Sequence, residues 1–121
     1  MESTIRQISK SVFAVIGPEG ATNFTIIKAS DGAAALIDAD IRRIDEVEEA
    51  LRLTGCARVG YLIDTHEHFD HTSANFYFAQ KHIPIVASAG CVHAMQDDGP
   101  ATSRACSNPC RSCTSVFPAS V

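Results

Sequence analysis

Residues 63–71 read IDTHEHFDH, setting three of the chain's five histidines, two aspartates and a glutamate in nine positions directly after an apolar run. His66 and His68 are two apart, so on extended backbone their side chains leave one side of the chain, roughly 7 Å apart at Cα. From there both reach a single ion at imidazole–zinc distances of about 2.0–2.1 Å. Asp70 and His71 are adjacent, and a tight turn after the strand would aim both at a neighbouring position. Imidazole nitrogens with a carboxylate suit zinc, and also iron or manganese where availability favours them. A solvated polar loop accounts for any single histidine. It accounts poorly for four candidate ligands, His66, His68, Asp70 and His71, at the mouth of an apolar strand.

Glu67 lies between the first two histidines and is expected to point away from them, toward solvent or a neighbouring polar group. Phe69 is expected to wall the site. Asp64 is read as a hydrogen-bond acceptor at the strand end rather than a ligand.

Working outward, ARVGYLIDT before the motif is a nearly continuous apolar run, which predicts a strand buried on both faces. Upstream of it, IDEVEEALRLTG has Ile44, Val47, Ala50 and Leu51 at helical spacing, with Asp45 as the expected cap and Gly55 as the terminator. Earlier still, IRQIS, SVFAVIG, FTIIKAS and AAALIDA read as strands of an antiparallel meander. GPEGATN is loop chemistry, and Ser30-Asp31-Gly32 is a hairpin turn. Downstream, SANFYFAQKH predicts a helix, IPIVAS a strand starting at a proline, and AGCVHAMQ a further helix. The expected class is α/β, with residues 1–98 as one unit and residues 99–121, rich in Ser, Cys and Pro and without an acid, as an irregular tail.

Here the residues carry a resemblance. THEHFDH, preceded by the apolar VGYLID, resembles the H-x-H-x-D-H signature of the metallo-β-lactamase-fold superfamily, which includes hydroxyacylglutathione hydrolases, lactonases, arylsulfatases and RNA-processing nucleases. AALIDAD is similar to that family's early strand ending in an aspartate, and the resemblance covers roughly residues 10–95. It implies an αββα sandwich of which this chain holds the N-terminal half. It implies that His66 and His68 bind one zinc and Asp70 and His71 a second, with Asp38 a structural acid behind them. It also implies that a water or hydroxide between the ions is the nucleophile, with Asp70 orienting it and helping to pass its proton. The implied activity is hydrolysis of an ester, thioester or lactone-like bond in a small molecule.

The motif alone leaves each of two ions short, because catalytic zinc usually has three protein ligands. The resemblance implies that a later histidine, a bridging aspartate and a final histidine complete the set. After His71 this chain offers only His82, His93, Asp97 and Asp98. His82 is expected at the surface, and His93 in a short helix. Three alternatives stay open: a fragment whose tail is an altered reading frame, a chain completed by another copy or partner, or separate chemistry at the late cysteines. Among those, a truncated, non-catalytic metal-binding or interaction module rivals the enzyme.

Cys106, Cys110 and Cys113 form C-x3-C-x2-C, a spacing also used by three-thiolate iron–sulfur clusters, though only eight residues follow Cys113. Opportunistic zinc binding by the thiolates, or coincidence, is the preferred reading. Cys56 and Cys91 read as buried free thiols. With a net charge of −4 and no basic stripe, nucleic acid and anionic membrane are not expected partners. No secretory leader is legible, so a cytoplasmic location is expected. A half-sandwich would expose one apolar sheet face, so self-association through that face is expected as well.

Overall fold

The structure, a computed structural model, describes residues 1–97 and 114–117. Four antiparallel strands open the chain: β1 (Thr4–Gln7), β2 (Val12–Ile16), β3 (Phe24–Lys28) and β4 (Ala33–Ile37). Short strands rich in β-branched residues, separated by short turns of which the second and third contain glycine, need only local pairing to form such a meander. Gly32 carries the turn between β3 and β4 at φ 89°, backbone that residues with a Cβ resist, and Asp31 Oδ1 accepts from the Ala33 amide there.

The pairing then changes hand. A 3-10 turn (Ile41–Arg43) and helix α1 (Ile44–Leu53) carry the chain over to β5 (Arg58–Asp64), which lies parallel to β4. Two short helices, α2 (Phe69–Thr72) and α3 (Asn75–Ala79), lead to β6 (Ile85–Ser88), parallel to β5. Helix α4 (Ala89–Asp97) follows, and β7 (Thr114–Phe117) pairs antiparallel with β6. The result is a seven-stranded sheet in sequence order. β7 falls within the stretch expected to be irregular. The expected boundary at 98/99 and the cluster Cys106, Cys110 and Cys113 lie outside the described residues.

Buried residues of α1, α3 and α4 join one sheet face in a single core. From the sheet it takes Val15, Phe24, Ile26, Leu36, Leu62 and Ile85. Val47, Ala50, Phe78, Val92 and Met95 come from the helices. The opposite face runs Val12, Ile27, Ala35 and Tyr61 across four strands in register. No described helix packs there, and Tyr61 is 51% and Ile27 37% exposed. This corrects the reading of β5 as buried on both faces. Its inner residues Leu62 and Asp64 are buried while Tyr61 faces out, because only one side of the sheet is covered by described elements.

A second correction concerns α1. Its N-cap position is Arg43, without a side-chain cap bond, and Asp45 lies in the first turn. The capping carboxylate is one turn earlier: Asp40 accepts from the Arg42 amide at the 3-10 turn. Gly55 does end the helix, at φ 77°, with its amide donating to the Arg52 carbonyl. No described helix is long and apolar enough to cross a membrane.

Candidate metal centre

The carboxyl ends of parallel strands β4 and β5 lie side by side, the place where open α/β sheets bind ligands. Backbone bonds stitch these ends together. The Asp38 amide donates to the Ile63 carbonyl at 2.9 Å, that of Ala39 to the His71 carbonyl at 3.1 Å, and that of Ala74 to the Ala39 carbonyl at 3.3 Å. After β5 the chain stays non-helical through His68 (φ −58°, ψ 140°), then closes into the single turn of α2. The amides of His71 and Thr72 both donate to the His68 carbonyl. That turn brings His71 back beside His66, with the Asp70 carboxylate next to His71.

Asp38 sits just past β4 with φ 65°, left-handed backbone that an aspartate tolerates but most side chains avoid. The kink directs its buried carboxylate across to the motif. Oδ1 accepts from the Thr65 amide at 2.9 Å, and Oδ2 accepts from Thr65 Oγ1 and meets His71 Nδ1, each at 2.8 Å. A carboxylate on Nδ1 selects the tautomer with the proton there, leaving the Nε2 lone pair of His71 free. Thr65 Oγ1 also meets His66 Nδ1 at 2.8 Å, so that ring's Nε2 is likewise left available.

The three imidazoles are gathered around His66. Its ring centroid lies 4.1 Å from that of His71 and 4.7 Å from that of His68. Ligand-type atoms of Asp38, His66 and His71 all lie within 4.8 Å of one another. Both oxygens of Asp38 are already engaged by Thr65 and His71, so within this trio it orients the imidazoles better than it offers a vacant ligand atom. His68 is not in that trio, and its side chain is 69% exposed. Asp70 Oδ2 lies 3.5 Å from His71 Nε2. Imidazole nitrogens turned outward beside a carboxylate form a donor set that suits a divalent transition metal.

The neighbouring residues follow their chemistry. Phe69 is 45% exposed at the rim, with the Arg42 guanidinium 5.8 Å over its ring. Asp64 accepts from Asn75 Nδ2 at 2.7 Å, as expected of a strand-end acceptor, while its Oδ1 has no hydrogen-bond partner among the described residues. Burial, aided by the charge of Asp38 and opposed by the Asn75 bond, pushes the Asp64 carboxyl up to about 8. His82 and His93 are both exposed. Cys91 is buried, its thiol pushed up to about 12 by burial and then by the Asp64 charge, so it is chemically quiet. Sequence reasoning missed Thr22, whose hydroxyl donates to Asp70 Oδ2 at 2.7 Å from 48 positions away. It also missed Asn75, the partner of Asp64. The loop composition of GATNF marks a turn and gives no sign of where the turn lands.

Residues 17–94 match the family model of the metallo-beta-lactamase superfamily, and the chain belongs to that superfamily. Its fold is similar to that of the DIM-1 metallo-beta-lactamase, at 18% identity and a TM-score of 0.65 over 81% of this chain and 47% of that one. It is similar to FIM-1 from Pseudomonas aeruginosa in its mono-zinc form, at 17% identity and a TM-score of 0.65 over 78% of this chain and 45% of that one. TMB-1 gives 21% identity and a TM-score of 0.65 over 82% of this chain and 49% of that one. The chain therefore spans about half the length of the solved structures it matches. No curated protein matches its sequence.

Proposed function

We propose that the chain is a metal-dependent hydrolase acting on an ester, thioester or lactone-like bond of a small molecule, with zinc as its metal. The observation that carries this reading is the trio of imidazoles around His66, backed by Asp38 and flanked by the Asp70 carboxylate. On this reading His66 and His68 would hold one ion, and Asp70 and His71 would serve a second. When bound, the metal supplies Lewis-acid chemistry, polarising the scissile bond and bringing the pKa of water down toward about 7. Asp38 fixes the ring and tautomer of His71, and Thr65 steadies His66. The Asp70 carboxyl is held below its usual range, first by the Thr22 hydroxyl, so it stays ionised as an acceptor that orients water. Phe69 and the Arg42 guanidinium above it form one wall for the substrate.

The second reading, a metal-binding module without turnover, is favoured by two observations. The chain spans about half of each matched structure, and the motif gives each of two ions two ligands rather than three. Elemental analysis of the purified chain, with a panel of ester, thioester and lactone substrates, separates the two. Bound metal with turnover that EDTA abolishes supports the hydrolase. Bound metal without turnover supports the module. The absence of metal uptake overturns both.

The proposal includes a second copy of this chain as partner, seated on the uncovered apolar sheet face. With a net charge of −4 it includes neither nucleic acid nor an anionic membrane.

A further inference from the structure

The β2–β3 loop, residues 17–23, is closed on itself. The Gly17 amide donates to Asn23 Oδ1 at 2.9 Å, and the Ala21 amide to the Pro18 carbonyl at 2.9 Å. Its inner residue, Thr22, is only 9% exposed and directs its hydroxyl at Asp70 Oδ2. Asp70 itself has a 42% exposed side chain and stands on a helix of one turn, Phe69–Thr72, which does little to choose its rotamer. On that geometry a free Asp70 would sample several orientations, and the bond from Thr22 selects the one that brings the carboxylate to 3.5 Å from His71 Nε2.

We propose that Thr22 is a positioning residue for the metal centre: its hydroxyl clamps the Asp70 carboxylate, so the meander half of the sheet sets the geometry of a ligand carried by the parallel half. This rests on the reading of Asp70 as a metal ligand. A hydrogen bond to a ligating carboxylate pre-pays the ordering of that side chain, and partners of this kind typically contribute about 10- to 100-fold in metal affinity. A bond that merely satisfied a buried hydroxyl would hold the loop down and leave metal affinity alone.

The test uses the full chain and Zn2+ titrated against a chelating competitor, with the visible spectrum of the Co2+ form as a second readout. Thr22→Val keeps the shape and removes the donor; it should weaken Zn2+ binding at least about tenfold and alter the Co2+ spectrum. Thr22→Ser restores the hydroxyl and should restore both. In an Asp70→Ala background Thr22→Val should cost nothing further, because the clamp has lost its object. Zn2+ affinity of Thr22→Val equal to that of the unaltered chain overturns the clamp, as do losses that simply add in the double variant or a Thr22→Ser that behaves like Thr22→Val. If the unaltered chain binds Zn2+ and Asp70→Ala binds it equally well, Asp70 is not a ligand and the underlying reading falls with the inference. If Thr22→Val does not fold, Thr22→Ala, which also lacks the donor, is read against Thr22→Ser by the same criteria.

Discussion

A single carboxylate shows how far side-chain environment departs from side-chain identity. Asp64 looks like one more acid of an acid-rich motif, yet it lies on the inner face of β5, buried against Asn75, with its carboxyl raised to about 8. The unfolded chain releases that proton near pH 4. Between about 4 and 8 the native state therefore binds more protons than the unfolded state, and its stability falls as pH rises through that window. Thermal melts of the chelated protein from pH 5 to 9 should show a decline that Asp64→Asn flattens; a decline of the same slope in the variant would contradict the assignment. Asp38 allows a second prediction. Asp38→Ala removes the partner that fixes His71 Nδ1 and should weaken Zn2+ binding by about 10- to 100-fold, measured by chelator competition. The histidines were legible in the sequence because metal chemistry imposes a spacing. Thr22 and Asn75 were not, because a hydroxyl or amide meeting a distant carboxylate leaves no periodic trace.

Among the elements, β5 shows where apolar patterning misleads. RVGYLID reads as a strand hidden on both sides, since an uninterrupted apolar run is what a doubly covered strand shows. Among the described residues only one side is covered, and that side carries the packing they supply. Leu62, fully buried between Leu36 and Ile85 of the neighbouring strands, should cost about 2–5 kcal/mol when cut to alanine, as read by denaturant unfolding. Tyr61→Ala, on the open side, should cost far less. Turn chemistry, by contrast, was fully legible. Asp31-Gly32 stands where the chain must adopt positive φ, and a Cβ on Gly32 would meet the Ala57 Cβ at 3.1 Å. Gly32→Ala should destabilise by about 1–3 kcal/mol. The start of α1 was misjudged because two acids compete for the cap. Asp40, not Asp45, is one residue before the point where the chain first turns, and the order of turn and helix is a tertiary outcome.

For the whole molecule, the layer order explains both what the sequence showed and what it left out. Meander, helix, strand, motif and helix follow in the sequence order that the fold adopts, so the architecture up to α4 was readable from local patterning. What was unreadable is which face of the sheet the described residues leave uncovered, since residues on both faces are apolar. The row Val12, Ile27, Ala35 and Tyr61 is the consequence, and it should drive association in the absence of another cover. Light scattering across a dilution series should show mass rising with concentration, and Ile27→Lys with Tyr61→Lys should lower it. A monomer of unchanged mass at every concentration would remove the second copy from the proposal.

The sutures between the ends of β4, β5 and the histidine turn have an outcome of their own. The amides of Ala39 and Ala74 are spent across segments rather than along them, so the histidine turn cannot drift without fraying its neighbours. If the centre takes up a cation, their deuterium uptake should report it: slow throughout in the loaded protein, and quickening together, as one unit, when the ion is stripped away.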